Sequence, residues 1–230
     1  MRKLFLFIVC FILFGVGIKA QRFPQAVLPG DYPDPSILRD GNDYYMTHSP
    51  FYYAPGFLIW HSTDLMRWEP VCRALPEYEG SAMAPDLLKY QGRYYIYYPT
   101  STGENYVIYA DDIRGPWSRP VKLDVRGIDP GHVVGEDGKR YLFTNNGWIT
   151  PLSDDGLKVT GKSRKVYDGW KYPANWVTEG KDMYLESPKL LYKDGYYYMM
   201  SAEGGTAGPA TSHMCVVARS KSVFGPWENS

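Results

Sequence analysis

The chain predicts an all-β propeller, and three observations carry that prediction. Strand-like runs are short and rich in Tyr, one such run returns at intervals of roughly 50 residues (Tyr44, Tyr94, Tyr141, Tyr197), and 23 Gly and 18 Pro punctuate what lies between. No stretch sustains the 3.6-residue apolar period of a helix. A repeat of this size suits one four-stranded blade.

From the N-terminus, Met1-Arg2-Lys3, an apolar run from Leu4 to Ile18 and Lys19-Ala20-Gln21 have the layout of a secretory signal peptide over 1–20. Cleavage is expected after Ala20, and Cys10 lies inside the apolar core of the signal. A secreted or periplasmic location follows, with one propeller domain over 21–230. No second apolar stretch approaches the roughly 18 residues of a membrane span. The first round of strands reads as Asp43–Thr47, Leu58–Ser62 and Trp68–Val71, and the second as Arg93–Tyr98 and Tyr106–Ala110, closing at Gly115-Pro116-Trp117. The third shows only Arg140–Thr144 clearly. The fourth holds Tyr196–Met200 and Met214–Ala218 and closes at Gly225-Pro226-Trp227. Trp68, Trp117 and Trp227 recur at matching places and are expected in the core, whereas Trp148, Trp170 and Trp176 lie in less repetitive sequence.

Each round opens with an acid beside a proline: Pro33-Asp34-Pro35, Ala84-Pro85-Asp86, Ile128-Asp129-Pro130 and Glu186-Ser187-Pro188. The first strand of a blade lines the propeller channel, so Asp34, Asp86, Asp129 and Glu186 are expected at one mouth. Acids gathered in a concavity shift one another's pKa values, the condition for dividing them into acid and base. Two carboxyl groups across a sugar suffice for glycosidic hydrolysis, and placement on different blades favours the separation of roughly 6.5–9.5 Å that admits a water and gives inversion. Spacing alone equally supports acids that cap turns at strand starts.

Lys plus Arg and Asp plus Glu balance at 25 each, which leaves no electrostatic footprint for nucleic acid. After processing only Cys72 and Cys215 remain, expected as two buried thiols and not a disulfide scaffold. His48, His61, His132 and His213 show no paired ligand spacing, so no metal site is expected. Nothing calls for a cofactor or indicates a channel ion such as calcium.

Five motifs in order, Asp31-Tyr32-Pro33-Asp34-Pro35-Ser36, Ala84-Pro85-Asp86, Gly127-Ile128-Asp129-Pro130, Glu186-Ser187-Pro188-Lys189 and Glu203-Gly204-Gly205-Thr206, resemble glycoside hydrolase family 43. The resemblance runs from Pro29 to the end and implies a five-bladed propeller, of which this chain holds four blades, acting on xylo- or arabino-oligosaccharides. By that resemblance Asp34 matches the general base, Glu186 the general acid and Asp129 the carboxylate that raises and orients the acid. Phe51 and Asp86 match substrate-binding positions, and Thr206 and His213 resemble those of the β-xylosidase branch. Met83 stands where the family often has Trp, and the loop over 207–212 is longer than the family pattern. The last residues, Glu228-Asn229-Ser230, follow the fourth Trp closer, before the family's fifth blade with its channel histidine and substrate-contacting arginine. The expected activity is hydrolysis of β-xylosidic or α-L-arabinofuranosidic bonds with inversion. The rival is a glycan-binding propeller, or a remnant, without catalysis.

Overall fold

The computed structural model describes residues 26–78, 80–171, 184–204 and 213–229. Within them, sixteen strands form four antiparallel sheets, each a meander of four strands in chain order. The first sheet is β1 (Ser36–Asp40), β2 (Asp43–Thr47), β3 (Gly56–Ser62) and β4 (Glu69–Leu75). The second is β5 (Asp86–Tyr90), β6 (Arg93–Pro99), β7 (Asn105–Ala110) and β8 (Val121–Leu123). The third is β9 (Gly131–Val134), β10 (Arg140–Thr144), β11 (Trp148–Pro151) and β12 (Arg164–Lys165). The fourth is β13 (Tyr184–Lys193), β14 (Tyr196–Gly204), β15 (His213–Ser220) and β16 (Glu228–Asn229). Among the described residues the helical content is a single 3-10 turn, Asn145–Gly147. Strand β1 contacts β5, β5 contacts β9 and β9 contacts β13, so the first strands stand side by side as the inner edges of four propeller blades.

Tight turns hold the meanders in register. Gln91-Gly92 joins β5 to β6 with φ of 49° and 85°, and Asp194-Gly195 joins β13 to β14 with 51° and 81°. Positive φ at both central residues gives the twist that antiparallel strands need across a two-residue loop. The core is divided into slabs between neighbouring sheets. Phe57, Ile59, Leu87, Ile96 and Ile108 fill the first, and Tyr95, Tyr97, Val107 and Leu142 the second. Phe143, Ile149, Tyr197, Met199 and Ala218 fill the third. Trp117 packs against the first slab and Trp227 against the third, while the half-buried Trp68 donates its indole N–H to the Leu65 carbonyl at 3.2 Å.

Two sequence expectations change here. Cys215 is exposed, because it lies three residues from Ala218 on β15 and so points to the opposite face from the one buried against the third sheet. Cys72 is half-buried, its Sγ–H directed at the Ile113 carbonyl at 3.3 Å, and neither thiol is bridged. The unclear third round is explained by its outer strand, which is only two residues long and is reached after a long excursion from Pro151. The segment read as a signal peptide lies outside the described residues.

Candidate active site

The site begins with a backbone device. Pro35, Pro85, Pro130 and Pro188 open the four blades, and the residue before each proline has positive φ: Asp34 at 54°, Ala84 at 36°, Asp129 at 57° and Ser187 at 49°. Non-glycine residues avoid this region, and a following proline narrows their choice further. Such strain costs roughly 1–3 kcal/mol per residue and persists only where surrounding contacts enforce it. Aligned on these prolines, the four acids are not equivalent, which corrects the sequence expectation. Asp34 and Asp129 share the place before the proline, Glu186 sits one residue earlier and Asp86 two residues later. A register break between Glu186 and Lys189 in the β13–β14 pairing accompanies the shift of Glu186.

Two of the acids, Glu186 and Asp34, act on a third, Asp129. Asp129 is buried, at 8% exposure, and its carboxyl is pushed up to about 6. Burial is the main cause, followed by the negative charges of Glu186 and Asp34, with Lys189 and the Ser187 N–H pulling the other way. The Ser187 hydroxyl stands 3.5 Å from Asp129 Oδ2. Glu186 is half-buried and Asp34 exposed, so the cluster grades from interior to mouth. The Asp129 carboxyl is the one the structure raises, because desolvation falls hardest on the most buried member.

Asp34 is anchored across blades. The Ser49 hydroxyl donates to its Oδ2 and accepts the Ala84 N–H at 2.6 Å, while the Ser49 N–H reaches the Pro33 carbonyl at 2.9 Å. Phe51 lies on the same segment, two residues after Ser49, its N–H bonded to the Ala82 carbonyl at 3.0 Å, which ties it to the second blade. Tyr52 and Tyr53 beside it are 74% and 76% exposed. His48 is buried, which holds its imidazole pKa down and favours the neutral ring.

Asp86, expected at the mouth with the other acids, has both oxygens engaged inside the channel. Oδ2 accepts the His132 N–H of the third blade at 2.8 Å, and Oδ1 accepts the Lys189 ammonium of the fourth at 2.9 Å. Its place one residue past the proline explains this, because that place faces the next blade: Ser36, the equivalent in the first blade, takes the Leu87 N–H of the second at 2.9 Å. Ser49 and Lys189 are the members that sequence reasoning missed. Alignment on the prolines was the available signal for Lys189; Ser49 left none beyond its place next to Phe51.

Glu203 is buried and fully partnered, by the Ser201 hydroxyl at 2.8 Å, the Tyr167 hydroxyl at 3.1 Å and the Trp170 N–H at 2.7 Å. This bonding keeps Trp170 close to β14. The Trp148 ring carries the Arg126 guanidinium 4.5 Å from its centroid. Thr206 and Trp176 lie outside the described residues, and His213 is described only through its main-chain pairing with Gly204.

The comparisons with known proteins agree with this architecture. Residues 23–230 match the model of glycosyl hydrolases family 43. The chain belongs to that family. It is 34% identical over 224 residues to a xylosidase/arabinosidase of Butyrivibrio fibrisolvens, covering 86% of this chain and 41% of that protein. It is 30% identical over 244 residues to a non-reducing end alpha-L-arabinofuranosidase of Bacteroides ovatus, covering 99% of this chain and 44% of the relative. The structure of a family 43 protein from Bacillus licheniformis superposes with a TM-score of 0.76 at 35% identity, over 90% of this chain and 42% of that one. The chain thus spans less than half the length of these family 43 relatives.

Proposed function

We propose that this family 43 chain carries the carboxylates of an inverting glycosidase acting on β-xylosidic or α-L-arabinofuranosidic bonds. The observation that carries the reading is the raised carboxyl of buried Asp129, on which the charges of Glu186 and Asp34 act, three acids from three blades. In this reading a water attacks the anomeric carbon while Asp34 takes its proton, and Glu186 delivers a proton to the departing glycosidic oxygen. Asp129, charged above about pH 6, favours the protonated form of Glu186 and orients it. The bond from Ser49 and the rigid Asp34-Pro35 backbone suit a base whose water must be aimed.

Phe51 is placed to flank the sugar beside Asp34, with Thr206 and His213 as further substrate contacts; Asp86 serves the channel in place of the sugar. The names of the relatives span xylosidase and arabinofuranosidase, and the proposal covers both pentoses. Export with removal of residues 1–20 would bring the enzyme to plant oligosaccharides outside the cytoplasm.

The test uses the full natural protein. Glu186→Gln is expected to lower turnover of xylobiose by a factor on the order of 10²–10⁴, and turnover of an activated aryl glycoside far less. Near-wild-type cleavage of xylobiose, or of the matching arabinoside, would overturn the acid assignment. Binding of these sugars by the wild type without cleavage would instead establish the glycan-binding rival. Proton NMR of the first product should show the inverted anomer.

A further inference from the structure

Lys189 lies one residue past Pro188, on the strand that opens the fourth blade. Its ammonium has three hydrogens and three acceptors: Asp86 Oδ1 at 2.9 Å, the Pro130 carbonyl at 2.9 Å and the Pro85 carbonyl at 3.2 Å. Both carbonyls belong to the prolines that follow Asp129 and Ala84, the positive-φ residues of the third and second blades. One side chain therefore holds the turns of two other blades. The contact continues beyond the lysine, since the Ala84 N–H bonds the Ser49 hydroxyl and that hydroxyl bonds Asp34. Hydrogen bonds and two-residue stretches of main chain thus join Lys189 to both Asp129 and Asp34.

The equivalent positions show that this use of the place is particular to the fourth blade. Ser36 and Asp86 accept an N–H from the following blade, and Gly131 has no side chain, with the Pro188 carbonyl pressed against its α-carbon. Lys189 alone of the four reverses direction, donating toward the second and third blades. Three converging acceptors match the tetrahedral donors of an ammonium, and they match the planar fork of a guanidinium poorly. The charged groups acting on Asp129 are then Glu186 and Asp34, which raise its carboxyl, and Lys189, which lowers it and whose ammonium also pairs with Asp86 at 2.9 Å.

We propose that Lys189 is a positioning residue of the carboxylate cluster, fastening the Asp129-Pro130 turn to the Ala84-Pro85 turn so that the three acids keep their separations. The proposal rests on the hydrolase reading for its kinetic consequences, and on the geometry of the channel for its electrostatic one.

The experiment compares Lys189→Met and Lys189→Arg in the full natural protein. Lys189→Met is expected to lower kcat by about 10- to 100-fold, the range that small misplacements of catalytic groups produce, with little change in KM. The acid limb of its pH profile should move to higher pH, because the charge that favours ionised Asp129 is gone. Lys189→Arg keeps the charge, so it should hold the acid limb while losing kcat. A readout independent of activity is the titration of the Asp129 side-chain carboxyl by carbon NMR, assigned by its loss in Asp129→Asn: about 6 in the wild type, and higher in Lys189→Met. Wild-type kcat together with an unmoved carboxyl titration in Lys189→Met would overturn the proposal. If Lys189→Met does not fold, full kcat in Lys189→Arg overturns it. If the wild type cleaves no pentoside, the hydrolase reading fails, and the carboxyl titration alone decides for or against Lys189.

Discussion

Ser49 donates its hydroxyl hydrogen to the carboxylate of Asp34, 15 residues earlier in the chain. The same oxygen receives the buried N–H of Ala84, so one side chain ties the exposed acid of the first blade to the turn of the second. Ser49→Ala would remove the donor to Asp34 and leave a buried N–H without its acceptor. A loss of about 1–3 kcal/mol in urea unfolding is expected, the cost of an unsatisfied buried group. A fall in kcat with KM nearly unchanged should accompany it, and an unchanged kcat would show that the bond serves folding alone.

Asp129 should set stability against activity. Its carboxyl is raised from 3.8 to about 6 in the folded chain. Between those values the native state holds a proton that the unfolded state has released, so stability falls as pH rises through this window and stays lower above it. A shift of this size corresponds to about 3 kcal/mol of penalty for the ionised form. Asp129→Asn should therefore unfold at higher urea concentration than the wild type at pH 8, by up to that amount. The advantage should shrink towards pH 4, and hydrolysis should be severely reduced at every pH. A variant less stable than the wild type at pH 8 would contradict the cause assigned to the shift.

Gly131 should tolerate no side chain. A β-carbon built there would meet the Pro188 carbonyl oxygen at 1.7 Å, where backbone faces backbone between the third and fourth blades. Gly131→Ala is expected to cost more than about 3 kcal/mol, beyond ordinary overpacking, because neither partner is a flexible side chain. Thermal unfolding of the variant checks this, and a shift of only a few degrees would mean that the blades can part cheaply.

His132 should remain neutral throughout the physiological range. It is buried beside the Arg140 guanidinium, and both effects drive its pKa down to about 3. Its Nε2 accepts the Arg140 Nε–H at 2.9 Å, which leaves the ring hydrogen on Nδ1. Nitrogen NMR should report that tautomer with no titration between about pH 5 and 8. A transition near the ordinary histidine value would show that water reaches the ring.

Much of the fold was legible because a blade repeats its chemistry. Arg140–Thr144 and Asp43–Thr47 are strands with the ends read from their Tyr-rich pattern, and the acids at Asp34, Asp129 and Glu186 were found by recurrence. What escaped was which element of the recurrence to align. The carboxylates draw the eye, yet the prolines fix the backbone, and a displacement of two residues, from before the proline to after it, turns Asp86 to the neighbouring blades. Asp86 was misread for that reason, and Lys189 passed over. Cys215 was misplaced because alternation along β15 becomes informative only once Ala218 is known to face the third blade.

The positive-φ turns carry a further meaning. Ala84 occupies in the second blade the seat that Asp34 and Asp129 fill in the first and third, with the same handedness of backbone. The propeller thus repeats a mount and varies what is mounted: an acid, a methyl group, an acid, a hydroxyl. At this seat the blades differ in side chain and share the backbone, while the fourth blade adds the register break that shifts Glu186. An aspartate introduced at position 84 would find its main-chain conformation already built, so a new reactive group in this channel requires one codon and no new loop.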